Sequence, residues 1–237
     1  MEEVIMAKLW VKTLNISSNP SGAAAAARQG NVVMIVDVID MSTTAEAALE
    51  AGAVSVLGAS PDQTKAPISV NPEKIGYIAG KKALKNETEI IVAAEPRLLD
   101  EENTRQRMEG IQYVLKGIKR AGGTLKKVVS NIGKEVCELA DFNEKVVVIV
   151  SAAGGVAFDA AFNYGAPEVI TGTIARTNEM YGDEPAKIAA KRAIETASKL
   201  KSGISIIASS SNAMEDVMGA EYIEKEIINR GFLELNN

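Results

Sequence analysis

One stretch of this chain occurs twice, and that repetition narrows the possible folds more than any other feature. Residues 33–57 (VMIVDVIDMSTTAEAALEAGAVSVL) align without a gap on residues 146–170 (VVVIVSAAGGVAFDAAFNYGAPEVI), at an offset of 113. Val33 falls on Val146, Glu46 on Asp159, Ala47-Ala48 on Ala160-Ala161 and Gly52-Ala53 on Gly165-Ala166. Each copy reads as a buried strand, a loop of small and hydroxyl residues, a helix, a Gly-Ala stop and a second strand. That is a β-α-β unit, and such units bind ligands where a strand hands over to a helix.

The rest of the chain continues the alternation. Strands are expected at 8–16, 32–38, 54–57, 89–94, 125–130, 145–150, 168–173 and 204–208. Helices are expected at 23–28, from the hydroxyls at 42–44 to Gly52, at 72–85 with interruptions at Gly76 and Gly80, and at 133–139, 185–200 and 213–229. The spacing of Met108, Ile111, Leu115 and Ile118 predicts one long helix over 97–120, and Asn19-Pro20-Ser21-Gly22 reads as a turn. Alternation of this kind argues for an α/β fold of mostly parallel sheets flanked by helices, with a (βα)8 barrel as the alternative. The expected organisation is a single α/β domain, 1–237, with two pseudo-equivalent halves of about 1–123 and 124–237. The repeat and the apolar helices offer surface for a homo-oligomer.

Composition removes whole classes of chemistry. There is no histidine, so neither a Ser-His-Asp triad nor a histidine-bound zinc site can form. Proton transfer falls to Asp, Glu, Lys, Tyr, Cys or a metal-bound water. Carboxylates and hydroxyls suit a hard cation such as Mg²⁺. Cys137 is the only cysteine, which fits a reducing, cytoplasmic setting. The net charge of −5 and the absence of a long basic run argue against nucleic acid, and the apolar runs are too short to span a membrane.

Four segments at strand ends carry candidate chemistry. In the first, Asp37 ends an apolar strand, Asp40 follows, and Ser42, Thr43 and Thr44 open a helix. A carboxylate there can hold a divalent cation while hydroxyls and helix-start amides receive an anion. Capping explains Asp40 or Ser42, but it explains Asp37 poorly. In the second, Ser151, Gly154 and Gly155 offer bare amides before a helix, as an anion cradle or as a tight turn. The third is Ser209-Ser210-Ser211-Asn212 with Glu215 and Asp216, which capping accounts for. In the fourth, Arg176 sits in a long polar loop as a candidate anion clamp.

The segment 32–57 resembles the opening motif of the 2-phosphosulfolactate phosphatase family, a strand ending Asp-Val-Leu-Arg-Ala-Thr-Thr-Thr, then a helix, Ala-x-Gly-Ala and another strand. Asp37, Val38, Thr43, Thr44, Ala48, Leu49, Gly52 and Ala53 keep that pattern. The family's Cys-Ala-Gly strand and later acidic helix are echoed at 149–154 with Asp159, and again at 207–210 with Glu215-Asp216. The family's arginine in the opening motif is Asp40 here, its cysteine is Ser151 or Ala208, and its Gly-Glu-Arg-Gly-Gly and Thr-Thr-Asn-Gly-Thr segments are missing. The resemblance implies a Mg²⁺-dependent hydrolase of a small phosphorylated acid. In that reading Asp37 holds the metal and Asp40 assists catalysis. The phosphate rests on Ser42, Thr43, Thr44, Ser151, Gly154, Gly155 and Arg176. The alternative is a non-catalytic protein that binds a small anionic metabolite on the same scaffold, as the exchange of arginine for Asp40 suggests. A lysine-based lyase lacks a lysine at the end of an apolar strand.

Overall fold

The computed structural model describes residues 10–234, so the first two residues of the strand expected at 8–16 lie outside the described residues; 10–13 are not strand, and the strand begins at Leu14. In chain order the elements are β1 (Leu14–Ser18), α1 (Asn19–Arg28), β2 (Val32–Val36), α2 (Met41–Glu50), β3 (Ser55–Ala59), α3 (Pro72–Lys85), β4 (Ile90–Ala94), α4 (Glu101–Glu109) and α5 (Gln112–Ala121). Then come β5 (Leu125–Ser130), a 3-10 helix (Gly133–Glu138), β6 (Val146–Val150), α6 (Gly154–Asn163), β7 (Val169–Gly172), α7 (Glu184–Leu200), β8 (Ile204–Ala208) and α8 (Met214–Asn229).

The strands pair into two all-parallel, four-stranded sheets, ordered β1-β8-β2-β7 and β3-β6-β4-β5. The fold is therefore α/β with parallel sheets flanked by helices. Among the described residues the ladders are separate rather than one eight-stranded ring. The repeat explains the arrangement. In each copy the two strands enter different sheets, and each copy's first strand pairs with the other copy's second: Val33 lies beside Val169, and Val147 beside Val56. The correspondence runs on past the repeat, since β4 begins at Ile90 and β8 at Ile204, and α4 at Glu101 and α8 at Met214. Both sheets thus contain strands from both halves of the chain.

The helices α2 and α6 force this geometry. Both are buried nearly all round, and each packs against strands of both sheets. A helix that is apolar on every side needs cover on every side. Two sheets supply it, while α7 and α8 cover the outer face of one sheet and α3 and α5 pack together outside the other. Alternate residues of β2 serve different cores: Val33 and Ile35 face the middle layer, and Val32, Met34 and Val36 face α7 and α8.

Three expectations are corrected. Asn19-Pro20-Ser21-Gly22 is the first turn of α1, where proline suits the first helical positions. The long helix over 97–120 is two helices, broken at Gly110-Ile111. Gly76 and Gly80 do not interrupt α3; they let it approach α5. A Cβ on Gly76 would lie 2.1 Å from the Val114 carbonyl oxygen, and one on Gly117 2.1 Å from that of Glu73. Backbone meets backbone there, so neither side can yield locally. Gly117→Ala should therefore destabilise the protein by about 2–4 kcal/mol in denaturant titration, although alanine is favoured over glycine by ~1 kcal/mol in a helix. A neutral or stabilising result would show that the two helices can separate freely.

Candidate functional site

Every strand is followed at once by a polar residue: Asn19, Asp37, Ser60, Glu95, Asn131, Ser151, Thr173 and Ser209 after β1 to β8 in order. Contacts between them bring the carboxyl ends of both sheets to one end of the molecule. Asp37 and Ser151 meet across the sheets, the Asn131 amide donates to Glu95, and Thr173 meets Thr43.

Asp37 is at the centre. It is 3% exposed, and its Oδ2 accepts from the Gly154 amide at 2.8 Å and from the Ser151 hydroxyl at 3.3 Å. Burial, then the charges of Asp216 and Asp40, push its carboxyl up to about 7. Glu95 approaches the same loop from β4. Its Oε2 accepts from the Ala152 amide at 3.2 Å, and burial with the charge of Asp40 raises its pKa. Asp216, at the start of α8, accepts from the Val38 amide at 2.8 Å and the Ser209 hydroxyl at 2.7 Å, and burial raises it too. Asp40 stands at the mouth, joined to Arg97 at 2.8 Å.

The sequence-derived site residues divide into three groups. Asp37, Ser151 and Gly154 come together, with Asp40 beside them. The hydroxyls do not face a ligand. Ser42 donates to the Ile35 carbonyl and accepts from the Asp37 amide; Thr43 bonds Val38 and Thr173; Thr44 donates to Asn131 and accepts from the Gly133 amide. Gly155 packs against β3, where a Cβ would lie 2.1 Å from the Ala59 carbonyl oxygen. Arg176 is exposed, and its charge acts on Glu135, outside this cluster. The anion cradle at 152–154 is filled from within: Ala152 donates to Glu95, Ala153 to Ser151 and Gly154 to Asp37. At the third segment α8 starts after Ala213 without a capping side chain, and Asp216 turns inward.

Sequence reasoning missed Glu95 and read Arg97 as the start of the helix expected over 97–120; both lie on the loop between β4 and α4. The polar residue after each strand was the available signal. The groove outside Asp40 has a volume of about 800 Å³ and is walled by Glu95, Arg97, Leu98, Pro61 and α4. Its far wall is fixed by Asp62, whose carboxylate accepts from the Tyr113 amide at the start of α5. Arg107 fixes the near wall. It is buried on α4 and donates to the carbonyls of Ala94, Pro96 and Leu98 and to the Ser130 hydroxyl, holding the segment that carries Glu95 and Arg97.

Among the described residues no three His, Cys, Asp or Glu side chains are grouped to hold a metal ion. The donor types of Asp37 and Glu95 at the Ser151 loop are those Mg²⁺ commonly takes, one or two carboxylates with water and phosphate completing the shell. Among the described residues no helix is long and apolar enough to cross a membrane. No protein-family model matches the chain, and no curated protein matches it at a significant level.

The Asp37 pKa has a definite consequence for stability. Its value folded is about 7 against 3.8 ordinarily, so the folded state holds the proton more tightly. Stability from this group is full below pH 3.8 and is lost as pH rises towards 7, by up to about 4 kcal/mol. Asp37→Asn should flatten that fall in a series of denaturant titrations between pH 4 and 8. Parallel profiles for the two proteins would show that Asp37 ionises at its ordinary pH.

Proposed function

We propose that this chain is a Mg²⁺-dependent hydrolase of small phosphate esters. The observation that carries the reading is the convergence of two carboxylates with raised pKa values, buried Asp37 and half-buried Glu95, on the Ser151-Ala152 loop from strands of different sheets. A cation bound at this loop would offset the charge of both. Asp37 and Glu95 would hold the ion. Bound there, Mg²⁺ would supply positive charge to phosphoryl oxygens and acidify a water.

The chain's own groups have separable roles. Without the ion, burial holds the Asp37 carboxyl near neutrality; the bound cation would keep it ionised as a ligand. The Gly154 amide and Ser151 hydroxyl orient its carboxylate. Burial keeps bulk water from the inner end, and the groove at Asp40 and Arg97 admits the organic part of the ester. The resemblance of 32–57 to phosphosulfolactate phosphatases supports the same reaction class through Asp37.

A second reading is a metabolite-binding protein without turnover. It is favoured by the internal occupation of the amides at 152–154 and by the neutralisation of Arg97 by Asp40. A panel of phosphate monoesters with Mg²⁺ separates the two. Phosphate release that falls by roughly 10² or more in Asp37→Asn and Glu95→Gln supports hydrolysis. Ligands that raise the melting temperature yet emerge unchanged support binding alone.

A further inference from the structure

The charges around the groove bear on the substrate, and the inference rests on the hydrolase reading above. Three carboxylates line it, Asp40, Glu95 and Glu109, against a single guanidinium, Arg97. That guanidinium is already compensated. It pairs with Asp40 at 2.8 Å, and its Nε and Nη2 also donate to the carbonyls of Asn131 and Ile39. Among the described residues lining the groove there is no lysine and no second arginine. If Glu95 serves the cation at the inner end, Glu109 at the end of α4 keeps a charge that little answers. Its nearest cation, Arg105, is 4.0 Å away, and both side chains are largely exposed. Side-chain amides of Asn103 and Gln106 complete the α4 wall and take hydrogen bonds of either polarity. The volume of about 800 Å³ suits a small organic molecule.

A second acid on the ligand would meet Asp40 and Glu109 with no free cation to receive it. An ammonium group would meet Glu109, the carboxylate there with no close partner. We infer that the groove selects a phosphate ester of an amine-bearing alcohol, with the phosphate at the Glu95 end and the ammonium group towards Glu109. This differs from the phosphorylated acid that the family resemblance implies, and the reason is local: position 40 carries a carboxylate, and the arginine lining the groove is spent neutralising it.

The test uses two phosphonates of matched length whose carbon–phosphorus bond resists hydrolysis, 2-aminoethylphosphonate and 3-phosphonopropionate. Each is titrated calorimetrically into the full-length protein with Mg²⁺, alongside inorganic phosphate. The amine should bind roughly tenfold more tightly than the acid, the scale of one partly screened charge pair. Glu109→Gln, an exposed substitution that leaves the core untouched, should narrow that gap. Equal or tighter binding of the acid overturns the inference and leaves the hydrolase reading intact. So does binding of inorganic phosphate with neither phosphonate, or a gap unchanged in Glu109→Gln. If none of the three ligands binds with Mg²⁺, the hydrolase reading falls as well.

Discussion

The seat of the Asp37 carboxylate on the first amide of α6 is the contact on which the functional end of this molecule depends. It joins a strand end of one sheet to a helix start that follows a strand of the other. The geometry leaves no slack, because a Cβ on Gly154 would lie 2.3 Å from Asp37 Oδ2. A helix N-terminus favours negative charge, so the seat offsets part of the cost of burying the carboxylate. It does not offset all of it, and the raised pKa of Asp37 is the remainder.

The same balance recurs where the two repeat copies correspond. Glu46 and Asp159 occupy equivalent positions in the middle of α2 and α6, both buried. Glu46 is answered by Arg192 of α7, at 2.6 and 2.7 Å, and by Thr171. Asp159 is answered by neutral donors, the Ser60 hydroxyl and amide and the Asn71 amide, and burial raises its pKa. The two copies share a backbone path and differ in polar chemistry. The strand ends differ likewise: β2 delivers Asp37 and β6 delivers Ser151. One copy therefore contributes the charge and the other the amides and hydroxyl that orient it. A pseudo-symmetric scaffold has become an asymmetric site.

Much of this was legible in the sequence. Strand positions follow from short β-branched runs bounded by polar residues, and Asp37 stood out because a charge ending a buried strand has few structural explanations. Other features depend on what a single segment cannot show. The hydroxyls at 42–44 resemble a ligand cradle in isolation. In the fold the end of β2 takes the Ser42 hydroxyl, and the β7 and β5 ends take those of Thr43 and Thr44, as internal partners. The break at Gly110 is invisible to helical periodicity, since Met108, Ile111, Leu115 and Ile118 keep their spacing across it; docking of Asp62 onto the start of α5 accompanies the change from one helix to the next. Glu95 was overlooked, and Arg97 read as a helix start, because their meaning comes from strand order. β4 pairs with β6, which brings the β4 end to the Ser151 loop. The separation of each repeat's strands into different sheets was likewise hidden, although all-round burial of α2 and α6 is its cause and their Ala- and Gly-rich sequences hint at it.

The account turns on whether the carboxylates of Asp37 and Glu95 share a cation. Anomalous diffraction from a crystal soaked in Mn²⁺, a scatterer that takes the same oxygen ligands as Mg²⁺, addresses this most directly. The account predicts one strong peak within coordinating distance of both carboxylates, beside Ser151. A map with no peak there, and Asp37 still bonded to the Gly154 amide, would contradict it.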